Sequence, residues 1–72
     1  MNIQNLIHMA NQIGQFYAAQ PNHEEALAGI ASHIHKFWAP NMRQEMAQHV
    51  AAGGPGLLPL VQEALAGGHA WV

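Results

Sequence analysis

The chain has 72 residues and no cysteine, which allows one domain and excludes disulfides, cysteine-based zinc sites and thiol redox chemistry. Only 8% of the residues are charged, against about 25% in ordinary soluble domains, and the formal net charge is −2 with neutral histidines. The two basic side chains are too few to neutralise several phosphates, so we expect no nucleic-acid binding.

The first half of the chain predicts two amphipathic helices. Apolar side chains recur at spacings of three and four over residues 3–19, and Pro21 follows the end of this pattern. Asn22 can serve as an N-cap with Glu25 at the N3 position, as in a capping box. We therefore expect a second helix over residues 23–38, which ends because the next residues lead into a proline.

The second half predicts two shorter helices. Proline at the first position and glycine after the last one indicate helices over residues 40–52 and 59–66. We expect residues 67–72 to form a frayed tail. Ala39 and Leu58 offer no side-chain acceptor as N-caps, so both helices should depend on packing. The whole chain is thus predicted to be a single all-α domain, a small bundle of three to four helices joined by short Pro/Gly turns.

Few side chains in this sequence can carry out catalysis or bind a metal. The only serine, Ser32, is predicted inside the second helix, where its neighbour His33 points about 100° away. No two of the six histidines are three or four residues apart, so a metal site would need ligands from different helices. Glu45 and His49 have the i,i+4 spacing, but one such pair is typical of a surface contact. We therefore expect no catalytic, cofactor-binding or metal-binding residue in this chain.

The corner between the second and third predicted helices concentrates residue types that are enriched at protein interfaces. A surface with so few charges favours a partner that covers part of it. Trp38 is compatible with a core position or with outward projection, whereas Phe16 and Phe37 are predicted to lie in the core. The predicted partner interface comprises His33, Lys36, Trp38, Pro40, Met42 and Arg43.

The sequence contains no signal for membrane insertion or export. It has no run of about 20 apolar residues, which a membrane-spanning helix requires. It also lacks the positively charged segment and continuous apolar region of a signal peptide. We therefore expect no membrane association and a cytoplasmic location.

Three blocks of the sequence are similar to one protein family, and the central block is the most specific. The blocks are MANQI at residues 9–13 with Phe16; AGIA at 28–31, HI at 33–34, KFW at 36–38, Pro40 and MR at 42–43; and GL at 56–57 with PLV at 59–61. Over about residues 5–65 the chain resembles the delta subunit of cytoplasmic NAD-dependent formate dehydrogenases, which contain molybdenum or tungsten. It departs from the family at Ala39 and Leu58, where Asp is usual, at Ser32, where an acid is usual, and at Asn41, where a base is usual.

The resemblance implies a non-catalytic accessory subunit that binds the large catalytic subunit and stabilises it or helps to assemble it. It also implies that molybdopterin, iron–sulfur clusters and flavin are bound by partner subunits and not by this chain. The alternative is a regulatory protein-binding module, or a homodimer that buries the Trp38 corner, with no connection to formate oxidation.

Overall fold

The computed structural model describes residues 2–72 and contains four α-helices. They are α1 (Ile3–Tyr17), α2 (His23–Phe37), α3 (Pro40–Ala51) and α4 (Pro59–Ala66). The described residues form no β-strand, so the prediction of an all-α fold is confirmed. The first three helices end one or two residues earlier than predicted, and α4 has the predicted bounds.

The first two helices begin with side-chain caps. Asn2 precedes α1, and its Oδ1 accepts a hydrogen bond from the backbone N–H of Gln4 at 2.8 Å. Asn22 precedes α2 in the same way and accepts from the N–H of Glu25 at 3.0 Å. Each bond satisfies one of the backbone donors that a helix leaves free in its first turn. Asn22 therefore caps α2 as predicted, whereas the cap by Asn2 was not predicted.

The last two helices begin with prolines and have no side-chain cap. Ala39 and Leu58 occupy their N-cap positions without a side-chain hydrogen bond. For α4 the neighbouring backbone is held instead by Asn11 of α1. The Asn11 side chain donates to the carbonyl of Gly56 at 3.0 Å and accepts from the N–H of Leu58 at 2.9 Å. This clamp fixes the start of α4 against α1 and compensates in part for the missing cap.

Every helix contributes to one hydrophobic core. The largest fully buried side chains are Leu6 of α1, Ile30 and Ile34 of α2, Met46 of α3 and Val61 of α4. Among the described residues no polar or charged side chain is buried. A Cβ at Gly14 would overlap the Val61 side chain, so this glycine lets α4 pack closely on α1.

The prediction of a frayed C-terminal tail is wrong. Trp71 is only 4% exposed and belongs to the core. Its indole N–H donates to the carbonyl of Leu65 at 2.9 Å, one of the carbonyls that the end of α4 leaves without a helical partner. The Nδ1 atom of His35 lies 3.3 Å from the carbonyl oxygen of Trp71. The indole thus buries apolar area and also finds an acceptor for its polar atom.

Replacing the tail indole should destabilise the whole domain. We expect Trp71→Ala to lower the free energy of unfolding by about 3–5 kcal/mol, which is comparable to the total stability expected of a domain this small. Urea unfolding followed by circular dichroism measures the change. Val72→Ala is the control, because Val72 is 61% exposed and should unfold like the parent. Equal midpoints for both variants would show that the tail contributes no stability.

A side-chain cap at the start of α3 should stabilise the domain. Ala39 is exposed and has the extended backbone of an N-cap, so Asp can be introduced without displacing a packed group. We expect Ala39→Asp to raise the free energy of unfolding by about 0.5–2 kcal/mol. Ala39→Asn should give a similar gain without a new charge, which separates capping from electrostatics. A gain with Asp but none with Asn would contradict the capping explanation.

Candidate interaction surface

An open apolar groove lies between α1 and α2. Its volume is about 490 Å³. None of the side chains that line it is an acid, a lysine or an arginine. The lining consists of Met9, Gln12, Ile13, Phe16 and Tyr17 from α1, His33 and Phe37 from α2, and Trp38 just after α2. The groove is thus an uncharged surface built by the two longest helices.

Helical spacing places these side chains together. Met9, Ile13 and Phe16 lie three or four residues apart, so they share one face of α1. His33 and Phe37 are one turn apart on α2. Phe16 and Phe37 are each 72% exposed, a large apolar area to leave in water. The two phenyl rings therefore stand at the opening of the groove and not in the core.

Four aromatic rings form a continuous row across both helices. The ring centroids of Phe16 and Tyr17 are 5.2 Å apart at an interplanar angle of 85°. Tyr17 lies 6.4 Å from His33, and His33 lies 4.7 Å from Phe37. These edge-on and tilted arrangements are the ones that aromatic quadrupoles favour. The row therefore holds the two exposed phenyl rings through the half-buried Tyr17 and His33.

Gly29 makes room for this row. A Cβ on Gly29 would overlap the ring of Tyr17, so only glycine lets Tyr17 lie directly against α2. Glycine inside a helix is unfavourable by about 1 kcal/mol relative to alanine. The neighbour that comes this close to Gly29 is a side chain and not another backbone. The aromatic wall of the groove thus depends on a residue that does not itself line it.

The two aromatic residues at the end of α2 lie in opposite environments. Phe37, predicted to be in the core, is exposed, whereas Trp38, for which both positions were open, is only 5% exposed. For Trp38 the cause is the end of α2, because this residue follows the helix and adopts an extended backbone, with φ −88° and ψ 142°. This turn directs the indole into the core, where it forms the base of the groove. The prediction that Phe16 lies in the core is also wrong, because Phe16 sits at the outer edge of the apolar face of α1.

Arg43, another predicted contact residue, is engaged inside the chain. Its Nη1 donates to the carbonyl of Trp38 at 2.7 Å and to that of His35 at 3.0 Å. One of these carbonyls lies in the last turn of α2 and the other just after it, where helical partners are missing. Arg43 therefore caps α2 and fixes the backbone that carries Trp38.

The remaining predicted contact residues fall in different environments. His33 is half-buried in the aromatic row, while Lys36 and Pro40 are exposed outside the groove lining. Met42 is half-buried and packs against the core. The structure thus brings only His33 and Trp38 of the predicted set into the groove. The lining residues that sequence reasoning missed are Met9, Gln12, Ile13, Phe16, Tyr17 and Phe37.

The histidines outside the groove make separate contacts. The Nε2 atom of His23 lies 3.0 Å from both carboxylate oxygens of Glu63, which links α2 to α4. The Nε2 atom of His49 lies 2.8 Å from the carbonyl oxygen of Pro55 in the α3–α4 connection. Within residues 2–72, no three histidine or acidic side chains are grouped so that they could hold a metal ion. Nor does this part of the chain contain a helix with the length and apolar character needed to cross a membrane.

The fold and the groove together define a small all-α domain with an exposed apolar surface. Residues 5–65 match the protein family described as the delta subunit FdsD of NADH-dependent formate dehydrogenase. The chain belongs to this family, which confirms the resemblance seen in its three sequence blocks. No curated protein and no solved structure matches the chain.

The two aromatic residues at the end of α2 should differ sharply in their effect on stability. We expect Trp38→Ala to lower the free energy of unfolding by about 3–5 kcal/mol, because the indole is buried. Phe37→Ala should change it by less than about 0.5 kcal/mol, as for other exposed positions. Urea unfolding of both variants, followed by circular dichroism, provides the comparison. Similar losses of stability in both variants would contradict the burial of Trp38 and the exposure of Phe37.

Proposed function

We propose that this chain is a non-catalytic accessory subunit of a cytoplasmic NAD-dependent formate dehydrogenase. In this role it binds the large catalytic subunit and stabilises it or helps to assemble it. Membership of the delta-subunit family supports the assignment of the chain to a formate dehydrogenase complex. The observation that supports binding is the uncharged groove with Phe16 and Phe37 each 72% exposed. Exposed apolar patches with a polar rim are typical of surfaces that bind other proteins or ligands.

The chemistry of the chain also favours a supporting role. The sequence has no cysteine, aspartate or threonine, and its one serine is half-buried in the middle of α2. Iron–sulfur clusters are held by cysteine thiolates, so we propose that the clusters belong to partner subunits. We assign the pterin cofactor and the flavin to partner subunits as well. The contribution of this chain would then be to bind the catalytic subunit, not to take part in catalysis.

Co-expression with the large catalytic subunit tests this proposal. We expect the tagged chain to retain the catalytic subunit at a 1:1 ratio through size-exclusion chromatography, with the mass of the complex measured by light scattering. Omitting the chain should lower the yield or the melting temperature of the catalytic subunit. Recovery of the chain alone, or as a dimer that does not bind the catalytic subunit, would contradict the accessory role. It would favour a protein-binding module that has no connection to formate oxidation.

The same preparation separates a permanent subunit from an assembly factor. A permanent subunit should remain stoichiometric in the fully active, cofactor-loaded complex. An assembly factor should accompany the cofactor-free catalytic subunit and be lost when cofactors are loaded. Quantitative mass spectrometry of both forms gives the ratio.

A further inference from the structure

We propose that the groove binds one amphipathic helix of the catalytic subunit, with an acidic residue of that helix facing Lys36. This inference rests on the proposed function and names the site and the chemistry of its occupant. It is derived from the lining of the groove, the charges beside it and the backbone of its walls.

The lining favours an apolar occupant. Charged side chains are missing from the groove lining, and the sequence contains no formal charge between residues 2 and 22. An apolar segment can therefore cover Phe16 and Phe37 without removing a charge from water, which would be costly. On the α1 side the lining includes the exposed amide side chain of Gln12. This arrangement matches the apolar centre and polar rim of protein interfaces.

Lys36 lies beside the α2 lining of the groove, and Glu25 lies farther along the same helix, eight residues before His33. Glu25 and Lys36 are both exposed and lie 11 residues apart on α2. Eleven residues make slightly more than three helical turns, so both side chains occupy one strip of the helix, roughly 16 Å apart. Glu25 lies one helical turn before Gly29, the residue against which the Tyr17 ring packs. Lys36 is next to Phe37 in the sequence. A complementary occupant therefore carries an acid at the Lys36 end and a base or a neutral group at the Glu25 end.

The walls favour a helix over an extended segment. Both walls are α-helices whose backbone groups bond within the helix, and no β-strand edge exists among residues 2–72. An extended peptide would bring its own N–H and C=O groups into an apolar groove without partners. A helix satisfies these groups internally and presents only side chains. Along α1 the groove runs from Met9 to Phe16, about 10 Å, which matches anchors at i, i+3 or i+4, and i+7.

The size of the groove disfavours a second copy of this chain as the occupant. In a symmetric dimer the two grooves would face each other, and the exposed Phe16 and Phe37 would be the groups that project between them. Full burial of both phenyl rings removes at most about 300–500 Å². A stable interface of standard size buries about 800 Å² on each partner. A helix of a larger subunit fills the groove and extends the contact beyond it.

Site-directed photo-crosslinking tests the occupant directly. Benzoylphenylalanine replaces Phe16 or Phe37 in the full chain, co-expressed with the catalytic subunit, and mass spectrometry identifies the linked peptides. We expect both positions to link to the same helical segment, in which apolar residues recur at spacings of three and four residues. This segment should also contain an acidic residue within one helical turn of the linked residues. The control position is Val72, which is also an exposed apolar residue but does not line the groove, and it should not link to that segment.

The outcomes separate the inference from the proposed function. Links from Phe16 and Phe37 to another copy of the chain, to two unrelated segments, or to nothing while the complex still forms would overturn the inference and leave the accessory role standing. Failure of the parent chain to bind the catalytic subunit would overturn both.

A charge substitution tests the acid that is assigned to the occupant. Lys36→Gln should weaken binding of the catalytic subunit by about twofold to fivefold at low salt, the range for an exposed ion pair. The difference should shrink as salt is added. Gln48→Glu changes the net charge by the same amount at an exposed position of α3 outside the groove, and it should leave the affinity unchanged. Equal effects of the two variants would rule out a specific partner for Lys36.

Discussion

The surplus apolar surface of α1 determines much of this structure. Its inner face packs Leu6 and Ala10 against the other helices, while Met9 and Phe16 turn toward the groove. A chain of this length buries only about 60% of the surface that its unfolded form exposes. The three remaining helices cover one side of α1 and leave the other side open. The groove is the part of this apolar face of α1 that the other three helices leave uncovered.

Polar side chains hold the connections of the fold in place. Asn11 clamps the start of α4, Arg43 caps the end of α2, and the indole of Trp71 caps the end of α4. Each of them satisfies backbone groups that would otherwise lack a partner in a turn. The Arg43 cap also fixes the backbone of Trp38, which forms the base of the groove. A surface built on fixed elements loses less conformational entropy on binding, which favours affinity.

The helices could be predicted because their signals are local, whereas the groove could not. Each helix signal, whether a proline, the Asn22 cap or apolar spacing, is recognised within a few residues of sequence. Together these signals predicted the positions of all four helices. Phe37 repeats the spacing of the buried Ile30 and Ile34, and the sequence does not show that the end of this stripe lies outside the core. The direction of Trp38 depends on the residue at which α2 ends, because the backbone changes from helical to extended there. Trp71 was misjudged because its burial depends on a core that all four helices assemble, a tertiary arrangement that no local pattern encodes. The one available signal for the groove was the breadth of the α1 stripe, which extends to Phe16.

The groove couples the stability of the chain to its association. A domain this small has only about 3–5 kcal/mol of stability from its own core. Burial of one large apolar side chain is worth about 1.5–3 kcal/mol, so covering Phe16 and Phe37 adds a term of the same size as the whole fold. Binding to the native state alone stabilises that state by mass action. A partner that covers this face, as we propose, would remove apolar surface from water and would also shift the folding equilibrium of the chain toward the native form.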